Sequence, residues 1–374
     1  MKGLFRRPGS AGRCWRQARA TVLSTVIIIM TLHLMLGTIS ETNSHLRDPL
    51  FGKRADRLNG RYQRLKKQDP VVVVSFGTSR MGNGLNAALI EASAQAEFGC
   101  PALVVNFGIP GTGPLLQQVY LRRLLKEKIR PNLVIFEVFP RHYIHMGETP
   151  IEMNDSPAYR IQSEEKNWLQ KYHIPLEDIE ASHRQIWSNP WSELRLQLLS
   201  YIHPQWLPVG SIMRWTLADM WGWLPIPSNY ARDADYQTRR EKAYNDIGKL
   251  LPHFAFGDVP IHALEDTLDL CNQMGIDFIL LQMPEGSDFR CWYTPASQAL
   301  IHDRFEEIAR RYHGRFVDAS SWVPDGNFFD SHHLVASGAT LFSERFARES
   351  VIPCLREKML VGAAVPIGEC RNKP

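Results

Sequence analysis

Val71-Val-Val-Val-Ser-Phe-Gly-Thr-Ser-Arg80 decides the fold of this chain. Four consecutive valines followed by Ser75 and Phe76, with no charge among them, read as a strand buried on both faces, the kind found in parallel sheets. Gly77 and Thr78 then turn the chain and leave the Ser79 hydroxyl at the strand's C-terminal end. That edge is where open α/β sheets bind ligands. Taken alone, Ser79 has two readings, a reactive hydroxyl or a cap on the helix that follows.

Outward from this stretch the pattern alternates. Residues 87–98 read as helix and 102–106 as a second short buried strand, followed by the loop Phe107-Gly-Ile-Pro-Gly-Thr-Gly113. Residues 115–128 carry Leu116, Val119, Tyr120 and Leu124 on one helical face, and 133–138 are a third strand. From 145 to 260 the regularity breaks down into a segment rich in proline and tryptophan, with Trp168, Trp187, Trp191, Trp206, Trp215, Trp221 and Trp223. It is too long for a plain connection and too apolar for disorder, so it reads as a mostly helical insertion between strands 3 and 4, with 191–201 and 212–223 as helical pieces. Its aromatics fill a core, line an acceptor groove or rest on a lipid interface. The alternation resumes with a helix at 261–274, a strand at 278–283, a helix at 296–312, a strand at 315–317 ending at Asp318, and a closing helix from 340; residues 361–374 form a tail. The expected fold is a three-layer α/β/α domain with a flavodoxin-like, five-stranded parallel sheet, built from 71–144 and 261–360.

Residues 1–19 carry Lys2, Arg6, Arg7, Arg13, Arg16 and Arg19 without one acid, and 20–39 contain no Asp, Glu, Lys or Arg. About 20 residues at 1.5 Å rise cross a hydrocarbon core of roughly 30 Å. The segment therefore reads as a transmembrane anchor with a cytoplasmic N-terminus and an extracytoplasmic, periplasmic domain. A cleaved signal peptide is the rival reading; the long apolar run and the lack of an Ala-x-Ala site favour the anchor. Residues 40–70, with a basic cluster from Arg61 to Lys67, read as a solvated stem between membrane and domain.

With 374 residues, 44% of them apolar, the chain makes one large domain or two modest ones. A net charge of +4 is too mild to imply nucleic acid. Gly108-Ile-Pro-Gly111 lacks the Lys-Ser/Thr of a phosphate loop, and no cofactor is expected. Six cysteines show no pair spacing.

The remaining chemistry lies in Phe328-Phe-Asp-Ser-His-His-Leu334. Asp330 and His333, three apart in a loop before a helix, are spaced for a carboxylate to orient an imidazole, which can then take a proton from a serine. The His332–His333 pair also suits a metal, but spacing offers no third ligand, so none is expected. His142 and His145 form another loose pair, structural or facing a substrate.

Three ordered blocks resemble the SGNH (GDSL-like) hydrolase superfamily: Gly77-Thr-Ser79, Asn106-Phe-Gly-Ile-Pro-Gly111, and Asp330-Ser-His-His333. The resemblance implies acyl transfer with Ser79 as nucleophile, His333 as base and Asp330 as its orienting carboxylate. It places the N–H groups of Ser79 and Gly111 at the oxyanion and Asn106 toward the substrate, and His142 is read beside them as facing the substrate. Two departures stand out: Thr78 replaces the usual Asp, and Arg141 falls where that family carries an Asn oxyanion donor, so that Arg141 is expected to donate to the oxyanion, with an acidic substrate or a diverged site as the alternatives. The layout is similar to that of membrane-anchored proteins of alginate O-acetylation and D-alanyl transfer, which implies an acyl ester or acylated glycan substrate and leaves room for a membrane acyltransferase partner. A catalytically silent scaffold that presents envelope polymer is the alternative. A flavodoxin-like nucleotide binder is disfavoured by the missing phosphate fingerprint.

Overall fold

The computed structural model describes residues 10–145, 150–155 and 158–363. Strands β1 (Val71–Gly77), β2 (Ala102–Gly108), β3 (Leu133–Glu137), β4 (Asp277–Gln282) and β5 (Arg315–Asp318) form one all-parallel sheet in the order β2-β1-β3-β4-β5. This is the flavodoxin-like order that the alternating pattern predicts. Val72, Val74 and Phe76 of β1 point into one core and Val71 and Val73 into the other, so both faces of the strand are dry. The chain leaves β1 toward β2 on one side and reaches β3 on the other, which opens a crevice at the C-terminal end of β1.

Among the described residues, the helices that frame this arrangement are α1 (Ser10–Thr42), α2 (Pro49–Leu65), α3 (Ser79–Gly84), α4 (Ala87–Phe98), α5 (Pro114–Lys126), α6 (Asp258–Met274), α7 (Pro295–Arg311), α8 (Ala336–Phe346) and α9 (Ile352–Ala363). Helices α2, α5, α6 and α7 cover one face of the sheet, and α3, α4, α8 and α9 the other.

Residues 40–70 are not a solvated stem. Leu50, Phe51, Ala55 and Leu58 of α2 are fully buried in the main core, and Arg61 of the basic cluster lies buried against Glu91 at 2.5 Å. Spacing of polar residues hid this, because the apolar face of α2 is narrow and its arginines turn inward. Arg54 is the clearest case. Its guanidinium is fully buried and donates to the carbonyls of Leu50 (2.8 Å), Asn106 (3.1 Å), Gly222 (3.4 Å) and Gly108 (3.5 Å). Burial lowers its pKa to about 10, which leaves it charged at neutral pH. Arg54→Met is expected to strip these carbonyls of their donor and cost on the order of 3 kcal/mol, read from the urea midpoint of the full chain in detergent.

The insertion begins and ends at one foot, the antiparallel bridge Ile144↔Phe256. Between these residues it forms short helices and turns, among them Glu177–Ser188, Pro190–Glu193 and Arg195–Ile202. The helical reading of 212–223 is corrected: Ile212–Leu217 is a 3₁₀ turn, and the residues after it wrap the edge of the sheet. There the Trp221 carbonyl accepts the Asn106 N–H at 2.7 Å, and Glu91 accepts the Val104 N–H at 2.8 Å. These two outward N–H groups of β2 are thereby satisfied, and this edge of the parallel sheet is covered.

Helix α1 is 33 residues long, about 50 Å, and its stretch Trp15–Thr42 is long and apolar enough to cross a membrane. Its apolar side chains from Val22 to Met35 face outward.

Candidate active site

Ser79 opens α3 directly after β1, and its neighbour takes the capping role. The Thr78 hydroxyl accepts the Arg80 N–H at 3.1 Å, so the serine is not the cap and its own hydroxyl is left for other use. The turn needs Gly77: a Cβ there would lie 2.5 Å from Glu137 Oε2. That same carboxylate oxygen accepts the Thr78 N–H at 2.6 Å and fixes the turn from β3.

Ser79 Oγ lies 2.8 Å from His333 Nε2, and His333 Nδ1 lies 2.8 Å from Asp330 Oδ2. This contact joins residues 254 positions apart in the chain. The other oxygen, Asp330 Oδ1, accepts the backbone N–H groups of His332 (2.8 Å) and His333 (2.7 Å), so a tight local turn holds the carboxylate. Burial alone would raise the Asp330 carboxyl. The facing imidazoles of His332 and His333 and these hydrogen bonds outweigh it and hold the group well below the usual carboxylate range. An ionised Asp330 can only accept, so His333 carries its proton on Nδ1 and turns a bare Nε2 lone pair to Ser79.

Beneath the serine, Arg80 is buried and lies over the Phe139 ring, 4.5 Å from its centroid. It donates to the carbonyls of Met283 (2.9 Å) and Pro284 (3.2 Å), lies 3.3 Å from Glu285 and 3.7 Å from Glu137. One cation thus ties the ends of β1, β3 and β4 together below the reactive turn. Burial raises the Glu285 carboxyl to about 7, against the pull of Arg80 and with the help of Asp318. A folded-state pKa above the ordinary 4.5 means that the folded protein holds a proton the unfolded chain releases. This contribution to stability is complete below about pH 4.5 and is lost as pH rises through about 7. Relative to Glu285→Gln, the natural protein is expected to lose on the order of 3 kcal/mol between about pH 4.5 and pH 8, read from thermal unfolding across that range. Parallel pH curves for the two proteins contradict it.

Above the serine is a cleft of about 540 Å³ whose walls include Ser79, Gly111, Phe139, Arg141, His142 and His332. Gly111 adopts φ 75°, a left-handed conformation suited to glycine, and so turns the loop after β2 into this wall. Arg141 lines the cleft, but its guanidinium is already engaged by both oxygens of Asp155, at 2.5 and 3.1 Å. The ion pair with Asp155 fixes the guanidinium in the wall and leaves its Nε without a hydrogen-bond partner. His142 lines the same wall, with Nε2 3.3 Å from Asp155 Oδ2.

Asn106 is corrected outright. It is fully buried, its amide donates to the carbonyls of Met81 and Leu85 at 2.8 Å each, and its carbonyl oxygen accepts the Gly108 N–H at 2.7 Å. It braces α3 against β2 and has no atom left for a substrate. His145 is exposed, and its backbone N–H donates to the Ala255 carbonyl at the foot of the insertion.

Asp330, His332 and His333 also lie close enough to surround an ion, their ligand atoms all within 4.8 Å of one another. Both nitrogens of His333 are already committed to Asp330 and Ser79, so coordination and the serine relay would compete for the same atoms. Burial lowers His332 to about 3, which makes it a neutral ring packed against Phe139 and Phe289.

Sequence reasoning missed the contributions of the insertion. Asp155, Asp246 and Ile247 form part of the cleft wall, and Glu152 caps α5 through the N–H groups of Leu115 and Leu116 at 2.9 Å each. No spacing rule connects these residues to Ser79, because the foot of the insertion brings them there. Glu137 and Glu285, by contrast, carried a readable signal: each is an acid at or just beyond the end of an apolar strand, with a buried arginine between them. Comparison of the chain with protein-family models and with curated proteins returns no match.

Proposed function

We propose that this chain is a membrane-anchored, extracytoplasmic serine esterase or O-acyltransferase of the SGNH type, working through an acyl-enzyme on a cell-envelope glycan or lipid-linked acceptor. The observation that carries the reading is the Ser79–His333–Asp330 relay at the C-terminal end of β1, with both hydrogen bonds at 2.8 Å. A serine hydroxyl is too weak an acid to attack unaided. In this reading Ser79 Oγ attacks the ester carbonyl while His333 Nε2 takes its proton; Asp330 stabilises the imidazolium that forms. The N–H groups of Ser79 and Gly111 face the developing oxyanion, and His333 returns the proton to the leaving alcohol. Water or a sugar hydroxyl then attacks the acyl-enzyme, and the cleft is roomy enough for an acceptor. The apolar stretch of α1 supplies the anchor, and the arginines and lysine that precede residue 20 set the cytoplasmic end.

The test is covalent. A fluorophosphonate probe applied to the full-length chain in detergent is expected to add one phosphonyl group, located at Ser79 by peptide mass spectrometry. An unmodified Ser79 under conditions that label a control serine esterase contradicts the reading. The second reading, a silent scaffold that binds envelope polymer, is favoured by one observation: Arg141, at the position of the missing Asn donor, is held in an ion pair with Asp155. It predicts polymer retention by the chain with no probe adduct.

A further inference from the structure

Helix α1 is not a free tether. Its last turns pack against the insertion at Gly37, where a Cβ would lie 2.9 Å from the Trp187 ring, and His33 Nε2 lies 3.1 Å from the Trp187 carbonyl. Leu36, Ile186 and Leu194 form a small buried cluster of their own at this joint. A second tether follows just beyond the apolar stretch, where the Tyr201 hydroxyl donates to the His45 carbonyl at 2.9 Å. These two contacts bracket the point at which α1 leaves the charge-free run that ends before Glu41. Gly37 lies four residues before that acid, about 6 Å along the helix axis.

The segment held at this level is unusually apolar for a surface. From Trp187 to Val209 it carries one acid, Glu193, one arginine, Arg195, and one histidine, His203. Trp187, Trp191, Ile202, Trp206 and Val209 are all exposed, Trp206 at 68% and Val209 at 94%. Soluble surfaces avoid such clustered apolar side chains, whereas aromatic rings at the headgroup level are the signature of a membrane interface. An interfacial segment sinks its apolar face roughly 5–10 Å into the headgroup and acyl boundary, the depth at which Gly37 places Trp187.

We infer that residues 187–209 rest in the lipid interface of the membrane that α1 crosses, so that the domain is docked on the bilayer at a fixed tilt instead of swinging from its anchor. The occupant of the patch is lipid, because the patch starts at Trp187, which packs on Gly37 within the apolar stretch of α1, and its exposed side chains are apolar. This inference rests on α1 spanning the membrane, as proposed above.

The test uses the full-length chain in vesicles of phosphatidylethanolamine and phosphatidylglycerol. A genetically encoded environment-sensitive fluorophore replaces Trp206, Val209, Val26 within α1, or Leu341 on the exposed side of α8 in separate variants. Fluorophores at 206 and 209 are expected to be quenched by lipid carrying a nitroxide near the headgroup about threefold more than at 341, and less by a nitroxide deep in the acyl chain. The fluorophore at 26 is expected to respond most to the deep nitroxide. Quenching at 26 with none at 206 and 209 overturns the inference and leaves the anchor intact. An unquenched 26 overturns the anchor, and with it the docking. Fluorophores at 206 and 209 that are shielded from water yet unquenched by either nitroxide assign the patch to a second copy of the chain, which also overturns it.

Discussion

Ser79→Ala is expected to lower hydrolysis of an activated aryl ester by about 10⁴-fold while leaving the protein folded. The hydroxyl has one assigned side-chain partner, the His333 Nε2 at 2.8 Å, and it does not cap α3, because Thr78 does. Removing it therefore forfeits one hydrogen bond at a half-buried position, on the order of 1 kcal/mol. Chemistry and stability separate cleanly at this residue. The measurement is steady-state turnover beside a thermal melt of the same preparation; retained turnover in a folded variant removes Ser79 from the role of nucleophile.

The second large effect comes from a change of one atom. Asp330→Asn is expected to cost about 10⁴-fold in turnover by inverting the histidine. Asp330 Oδ1 accepts two backbone N–H groups, at 2.8 and 2.7 Å, so the amide oxygen of an asparagine must take that place. Its NH₂ group is then forced into the position of Oδ2 and faces His333 Nδ1 as a donor. Nδ1 must become the acceptor, the ring proton moves to Nε2, and Nε2 can no longer take the proton of Ser79. The backbone turn survives, so the loss is one of tautomer and not of fold. Nitrogen NMR of the imidazole checks the tautomer directly, and turnover checks the consequence. A variant that keeps Nδ1 protonated and retains activity rules out Asp330 as the orienting group.

The two substitutions act on different links of one relay. Ser79→Ala removes the attacking atom, while Asp330→Asn leaves every heavy atom near its place and changes which nitrogen holds a proton. In the variant that lacks Ser79, Asp330→Asn is expected to have no further effect on turnover, because groups that act as a unit are not additive. A further loss in the double variant would show that Asp330 also acts outside the relay.

The division between sequence and structure follows from the range of the forces involved. The valine run 71–74 carries its own strand, since β-branched apolar residues without an alternating polar face have no stable place except between two cores. The helical spacing of Leu116, Val119, Tyr120 and Leu124 and the charge-free run 20–39 are equally local, and the parallel order of the sheet follows from strands separated by helices. Asp330 and His333 were legible as a pair because three residues of one loop are enough to join them.

What spacing cannot express is which side chain a fold consumes. Asn106 and Arg141 looked available for a substrate, yet tertiary packing commits the first to Met81, Leu85 and Gly108 and the second to Asp155. The arginines of 54 and 61 read as a solvated stem, yet they are drawn inside because only buried carbonyls of the sheet edge and Glu91 match them. The stretch 71–80 alone leaves Ser79 between cap and nucleophile, and within the sequence only the Asp330–His333 pair and the loop at Gly111 turn the reading to nucleophile. The tertiary structure gives the cap to Thr78 and closes 254 residues of chain to bring His333 to the freed hydroxyl, a contact that no local propensity encodes.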